Sequence, residues 1–225
     1  MNKQGEAGIN WTDATWNPVT GCLHGCQYCY ARAISNRFHR SFKPEYHPER
    51  LKEPLREKAP MRIFVCSMSD LFGEWTPRAW IESVFEIVRK CPKQTFQFLT
   101  KNPKRLHEFN PWPGNAWAGA TIDVKTRLEP SLKALEMVKA PVRFISFEPL
   151  SCDMGEPELT GSVEWIIIGA QTGPKGYQPA EPWVANLLSA AKTARIPVLM
   201  KDNLEWEPHR EEFPESVEIG QLALL

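Results

Sequence analysis

Met61-Arg62-Ile63-Phe64-Val65-Cys66-Ser67, then a helical stretch over 77–89, then Thr95-Phe96-Gln97-Phe98-Leu99, reads as strand, helix, strand. Both outer runs are short, nearly continuous in apolar residues and bounded by polar residues or proline. That is the pattern of parallel strands covered on both faces. Pro77 stands at a first helical position, where a missing N–H costs nothing, with Thr76 expected as the N-cap. The unit recurs downstream, with further apolar runs over 116–121, 142–147, 163–169 and 197–200. Helical spacing places Leu128, Leu132, Leu135 and Val138 on one face of 124–139, and Val184, Leu187, Leu188 and Ala191 on one face of 181–194. Upstream, 15–20 supplies a first strand. Six or seven parallel strands with crossover helices define an α/β fold. The count suits a partial or closed barrel and leaves a doubly wound sheet open.

The chain has 225 residues, enough for one domain with a sizeable core. Its 27 basic and 27 acidic residues give a formal net charge of zero, so no global field points to nucleic acid or a membrane. No apolar run is long enough to span a bilayer. Met1-Asn2-Lys3-Gln4-Gly5-Glu6 precedes no apolar segment of a secretory signal, so a cytoplasmic location is expected. No repeat or linker divides the chain, and a single domain over 1–225 is expected. Residues 38–60 are rich in Arg, Lys, Glu and Pro and read as a charged excursion on the rim. Between 32 and 62 basic residues outnumber acidic ones, whereas the tail over 202–225 is acidic as far as Glu218. This asymmetry reads either as an anion-binding rim or as solvated surface.

Chemistry concentrates in Gly21-Cys22-Leu23-His24-Gly25-Cys26-Gln27-Tyr28-Cys29-Tyr30, a Cys-x3-Cys-x2-Cys loop between a strand and a helix over 30–38. Of the six cysteines, Cys66, Cys91 and Cys152 are scattered, and Cys66 in its apolar run reads as an inert buried thiol. Three crowded cysteines argue for metal rather than a disulfide framework. Thiolates ligate iron–sulfur clusters, and three of them hold three irons of a cubane. The fourth iron is then open to the amine and carboxylate of S-adenosylmethionine (SAM). Reductive cleavage of the sulfonium gives methionine and a 5′-deoxyadenosyl radical, which abstracts hydrogen from a substrate. A structural zinc site, completed by His24 or Cys152, and unliganded thiols are the alternatives. Gly21 and Gly25 give the backbone room to wrap a cluster, and Tyr28 would pack near it or near the adenine.

On these residues the chain resembles the radical SAM superfamily, whose hallmark is this spacing. More narrowly it resembles a phage- and bacterium-borne three-cysteine-motif family of unknown function. The narrower likeness rests on Ile9-Asn10-Trp11-Thr12-Asp13-Ala14-Thr15-Trp16-Asn17-Pro18, the cysteine loop, Ser67-Met68-Ser69-Asp70-Leu71-Phe72 and Phe98-Leu99-Thr100-Lys101-Asn102-Pro103. It continues through Ser146-Phe147-Glu148-Pro149-Leu150, Ile168-Gly169-Ala170-Gln171-Thr172-Gly173 and the region of Lys201. Many relatives have a longer gap between the first two cysteines, and many carry Gly-Gly-Glu where this chain has Gly169-Ala170-Gln171. The resemblance implies a partial (β/α)6 TIM-like barrel of the radical SAM type, a [4Fe–4S] cluster on Cys22, Cys26 and Cys29, bound SAM and an external electron donor.

In such barrels the chemistry sits at the C-terminal ends of the strands. By position, Ser69 and Asp70 replace the superfamily's Gly-Gly-Glu, with Asp70 expected to pair with the SAM amine or to cap a turn. Thr100 and Lys101 end the next strand, Lys101 to hold a carboxylate or phosphate or to lie on the surface. Gly119, Thr121 and Asp123 end the fourth, and the resemblance implies contacts to the SAM ribose there; helix capping is the other role for Asp123. Glu148 and Lys201 are complementary charges at two strand ends, placed to line the pocket and tune proton transfer or to brace the barrel. Gly169 permits close approach to adenine, and Gln171 follows it. Trp11, Trp16, Trp75 and Trp117 would supply dry walls or ordinary core. A nucleic acid or nucleotide is the first expectation for the substrate and a peptide the second. A zinc-stabilised nucleic-acid-binding module without catalysis is the runner-up, and an iron–sulfur electron carrier the third reading.

Overall fold

A computed structural model describes residues 1–5, 8–173 and 176–215. In chain order the elements are β1 (Asn2–Lys3), β2 (Ala14–Trp16), β3 (Val19–Thr20), α1 (Tyr30–Arg37), β4 (Glu45–Tyr46), β5 (Arg62–Val65) and α2 (Arg78–Arg89). They continue with β6 (Thr95–Thr100), β7 (Ala116–Thr121), α3 (Leu128–Glu136), β8 (Arg143–Phe147), β9 (Trp165–Ile168), α4 (Glu181–Ala194) and β10 (Val198–Met200). The main sheet runs β1-β2-β5-β6-β7-β8-β9-β10. From β2 to β10 all neighbours are parallel, and β1 joins β2 antiparallel. The α/β arrangement expected of the apolar runs is the one found.

Alternate residues of these strands enter two separate cores, as a period of two requires. Ile63, Phe96, Phe98, Ile145 and Ile168 pack against Ile81 and Val84 of α2, Leu135 of α3 and Leu187 of α4. Phe64, Trp117, Phe144, Trp165, Ile167 and Leu199 point the other way and enclose Trp11. The Trp11 ring lies 4.6 Å from Phe64 on β5 and 6.4 Å from Phe144 on β8. In a flat sheet those strands stand roughly 14 Å apart, so one side chain reaches both only because the sheet curls. The curl stops short of closure, because β10 and β1 are the two ends of the strand order. Across the slot Asn10 donates to Met200 O at 3.1 Å and to Asp202 Oδ1 at 2.8 Å.

Four details differ from the sequence reading. The run 15–20 divides: β2 joins the main sheet, while β3 pairs antiparallel with β4, because Pro18 between them has no N–H to continue a ladder. Thr76 does not cap α2. It is buried with its hydroxyl on Asp70 O, and Pro77 takes the N-cap position. The helix expected over 124–139 begins as a 3-10 turn, Lys125–Arg127, and ends at Glu136. Asp123 does not cap it, since Arg127 holds that position.

The charged rim carries β4 and two 3-10 turns, Pro48–Arg50 and Pro54–Arg56. Tyr46 stacks on Trp80 of α2, which seats the rim on the shell. The start of the acidic tail is structural. Met200 N donates to Arg210 O, Glu212 N donates to Val198 O, and Phe213 packs on Trp165 at the N-terminal end of β9. The rest of the tail, 216–225, lies outside the described residues. Among the described residues no helix is long and apolar enough to cross a membrane.

Candidate cysteine-lined active site

The loop that carries the cysteines leaves β3 through Gly21, which bridges to Ser69 after β5. Gly21 N donates to Met68 O at 3.0 Å, and Ser69 Oγ donates to Gly21 O at 2.7 Å. Only glycine fits here: φ is +81°, and a Cβ would stand 2.1 Å from Lys43 O. The loop ends at Cys29, the N-cap of α1, whose Sγ accepts from Arg32 N at 3.4 Å. The Arg32 guanidinium reaches back to Cys22 O at 3.1 Å and lies over the Phe42 ring. The first and last cysteines are thus tied to one turn of helix.

Asp70 fixes the middle of the loop. Its Oδ2 is 2.6 Å from His24 Nε2 and accepts from Lys101 N at 2.9 Å. Its Oδ1 accepts from Thr100 Oγ1 at 2.7 Å and Phe72 N at 3.0 Å. These four partners fill the acceptor positions of the carboxylate, so the SAM amine expected at Asp70 meets a group already engaged. Thr100 is engaged likewise, its hydroxyl also accepting from Asn102 N at 2.9 Å. Sequence reasoning had weighed His24 only as a zinc ligand. Its partner is 46 positions away, and no local pattern signals the pairing.

Cys22, Cys26 and Cys29 line one open cavity of about 650 Å³ at the C-terminal ends of the strands. All six cysteines are free thiols, and Cys66 and Cys91 are buried apart from the cavity. Burial pushes the Cys66 thiol up to about 12. Burial also pushes Cys22 up to about 11, helped by the negative charge of Asp70 and of the other two loop cysteines. Such a thiol stays protonated in neutral water and releases its proton when a metal takes its place on the sulfur.

The donor set fits an iron–sulfur cluster: three cysteines of one loop line one cavity, and thiolates are the standard ligands of such a cluster. Trp11 lines the same cavity, and its Nε1 is a buried donor without a partner among the described residues.

Lys101 is the cation nearest the sulfurs. Its Nζ is 3.2 Å from Cys26 Sγ and 2.7 Å from Asp123 Oδ2, bonds the Tyr28 hydroxyl, and sits 4.5 Å above that ring. Tyr28 in turn donates to Asp123. Burial alone would raise the Asp123 carboxyl, but the bonds from Lys101 and Tyr28 hold it below the usual carboxylate range. Burial, and then the Asp123 hydrogen bond, keep the Tyr28 phenol protonated. Asp123 therefore faces protein partners and does not line the cavity.

Glu148 after β8 and Lys201 after β10 form an ion pair on the cavity wall. Ser69, Thr121 and Gln171 line it too, and Gln171 N donates to Tyr177 O. Gly119 and Gly169 do not line it. A Cβ on Gly119 would stand 2.4 Å from the Phe144 ring, and one on Gly169 2.8 Å from Lys201 Cδ. Their smallness makes room for protein side chains. Trp11, expected as a dry wall or as core, lines the cavity together with Gln4 and Ile9, which sequence reasoning had not assigned to the site because this segment has no periodicity to mark it. Tyr30 and Phe42 line the cavity as well.

Residues 6–222 match the family described as "Protein of unknown function (DUF5131)". No curated protein matches the sequence. A variant of spore photoproduct lyase shares the fold with a TM-score of 0.55 at 12% identity, over 87% of this chain and 65% of the lyase. A second variant, with bound AdoMet and dinucleoside spore photoproduct, aligns with a TM-score of 0.50 at 12% identity, over 80% of this chain and 50% of the lyase. The chain thus spans less than two thirds of the length of these structures, and the likeness is one of fold: a mostly parallel sheet with crossover helices.

Proposed function

The chain belongs to the family of unknown function (DUF5131) that matches residues 6–222, and from the geometry of its cysteine-lined cavity we propose that it is a radical SAM enzyme. The observation that carries the reading is the delivery of three partly exposed cysteines, from one loop, to one cavity at the C-terminal mouth of a parallel sheet. The fold shared with a lyase solved with AdoMet supports it.

In this reading Cys22, Cys26 and Cys29 would hold a [4Fe–4S] cluster, which when bound would supply the reducing power for cleavage of SAM to methionine and a 5′-deoxyadenosyl radical. The chain's own residues position and shield. Lys101, close to Cys26 Sγ, places positive charge where negative charge accumulates on reduction. Asp123 and Tyr28 hold Lys101 there. Asp70 keeps the loop in place through His24. Trp11 and Phe64 give the cavity a dry wall, while Ser69, Thr121 and Gln171 offer polar contacts to SAM. Glu148 and Lys201 line the substrate side and hold a proton within reach of it. The substrate class we favour is a nucleotide or nucleic acid, as in the dinucleoside named with the structural neighbour. An external reductant supplies the electron.

Anaerobic reconstitution with iron and sulfide, reduction, and EPR with and without SAM test the proposal. A [4Fe–4S]⁺ signal that shifts with SAM and is lost in Cys26→Ala, together with 5′-deoxyadenosine in the product mixture, is the expected result. A colourless protein with stoichiometric zinc and no response to SAM would overturn it.

A further inference from the structure

Residues 14–44 contain no Asp or Glu, in a chain with 27 acidic residues, yet carry Arg32, Arg37, Arg40 and Lys43. Other cations near the cavity are paired, Lys101 with Asp123 and Lys201 with Glu148. Among the described residues none of these four has a carboxylate within 4.0 Å. This is a local field that the zero net charge of the whole chain conceals.

The same segment exposes an apolar track. Tyr30, Ile34 and Phe38 recur at a spacing of four along α1 and its C-cap, and they are 48%, 42% and 57% exposed. Tyr30 and Ile34 also line the cysteine cavity, so the track starts inside it and leads out to Phe38. The Arg37 and Arg40 guanidinium groups lie 5.9 and 5.4 Å from the centre of the Phe38 ring. The end of the helix is fixed, with His39 at φ 51° and Arg40 N donating to Ser35 O at 2.9 Å. Phe38 and its two arginines therefore stand on a defined base.

An exposed aromatic track suits either an apolar protein face or unpaired bases. The charge decides between them: Glu148, the acid near the inner end at Tyr30, is held by Lys201, while Arg37, Arg40 and Lys43 toward the outer end are unpaired, which suits a repeating anion with flat apolar units. We propose that the α1 face binds a single-stranded nucleic acid, with bases stacked on Phe38 and Tyr30 and phosphates on Arg37, Arg40 and Lys43, and that the strand leads one nucleotide into the cavity. The proposal rests on the radical SAM reading for what happens in the cavity. Stacking on exposed rings needs free base faces, which a duplex does not offer.

The test is fluorescence anisotropy of a labelled thymidine 20-mer with the cluster-loaded chain, over a salt series under anaerobic conditions. Arg37→Ala combined with Arg40→Ala is expected to weaken binding about tenfold or more and to reduce the log–log salt slope by about 1.4. Phe38→Ala is expected to weaken it about five- to 150-fold. All three side chains are exposed, and a circular dichroism melt confirms that each variant folds. Wild-type affinity in the variants, equal affinity for a duplex of the same length, or equal competition by polyglutamate would each overturn the proposal. Reductive SAM cleavage by the wild type without the strand is measured separately. SAM cleavage with no strand binding sinks this inference alone. Strand binding that depends on Phe38 and the arginines without SAM cleavage sinks the enzyme reading and leaves the surface standing.

Discussion

His24 Nε2 lies 2.6 Å from Asp70 Oδ2, and this one contact ties the cysteine loop to the segment that follows β5. Asp70 is 5% exposed and holds three further donors, so its removal leaves several buried polar groups unpaired. Asp70→Ala is expected to cost about 3 kcal/mol. For a domain of this size that lowers Tm by about 6–12 °C. Iron per chain after reconstitution should fall as well, because the loop loses its tie. Unchanged Tm and iron content would mean that the loop stands without this contact.

Two glycines of the loop separate backbone freedom from space. Both have positive φ, but a Cβ on Gly21 meets Lys43 O at 2.1 Å, whereas one on Gly25 meets nothing within 4 Å. Gly25→Ala should cost about 1 kcal/mol, the ordinary penalty of a left-handed residue. Gly21→Ala should cost more than twice that and impair iron incorporation. Thermal melts and iron assays of the two variants side by side check the order.

Cys66 gives a pH dependence of known sign. Burial raises its thiol from 9.0 to about 12 in the folded state. Folded protein therefore keeps a proton that unfolded protein releases. The stability that this proton linkage contributes is full below pH of about 9 and is lost as pH rises toward 12. Urea midpoints should fall between pH 8 and pH 10.5, and Cys66→Ala should fall less steeply. Equal slopes for both proteins would contradict the assignment.

Glu148 and Lys201 face each other on the cavity wall and are partly solvated, so their pairing adds little to stability. Glu148→Gln should lower Tm by about 2–4 °C, the equivalent of about 1 kcal/mol. If Glu148 holds the proton used in turnover, product formation should fall about 100-fold. A Tm loss without a loss of turnover would make the pair a brace.

The strands were legible because their apolar runs are short and bounded, and the cysteine loop because thiol spacing is a local signal. What escaped depends on partners far along the chain. Asp70 was read as a partner of the SAM amine or as the cap of the next turn, and it does accept from Phe72 N, yet its other partners His24 and Thr100 lie 46 and 30 positions away and only the fold unites them. Gly119 was placed at the SAM ribose by the resemblance, but it lies against the Phe144 ring on the neighbouring strand and does not line the cavity. Val19 and Thr20 were read into the first strand and still left the main sheet, since Pro18 interrupts the ladder. Trp11 was expected as a dry wall or as core, and because the sheet curls around it, it is both.

The order of the strands carries a consequence for how the site is assembled. Neighbours from β5 to β10 are sequential, linked by segments such as 101–115 and 148–164, whereas β2 reaches β5 only across 17–61. Long-range pairing is the slow step in such topologies. The five-step run from β5 onward is therefore expected to form first, with β2 docking last on its edge. The cysteines lie within the late segment. If the cysteines hold the proposed cluster, its assembly is the final act of folding, and an iron-starved cell accumulates a nearly finished scaffold whose strand β2 still comes and goes, visible as fast hydrogen exchange at 14–16.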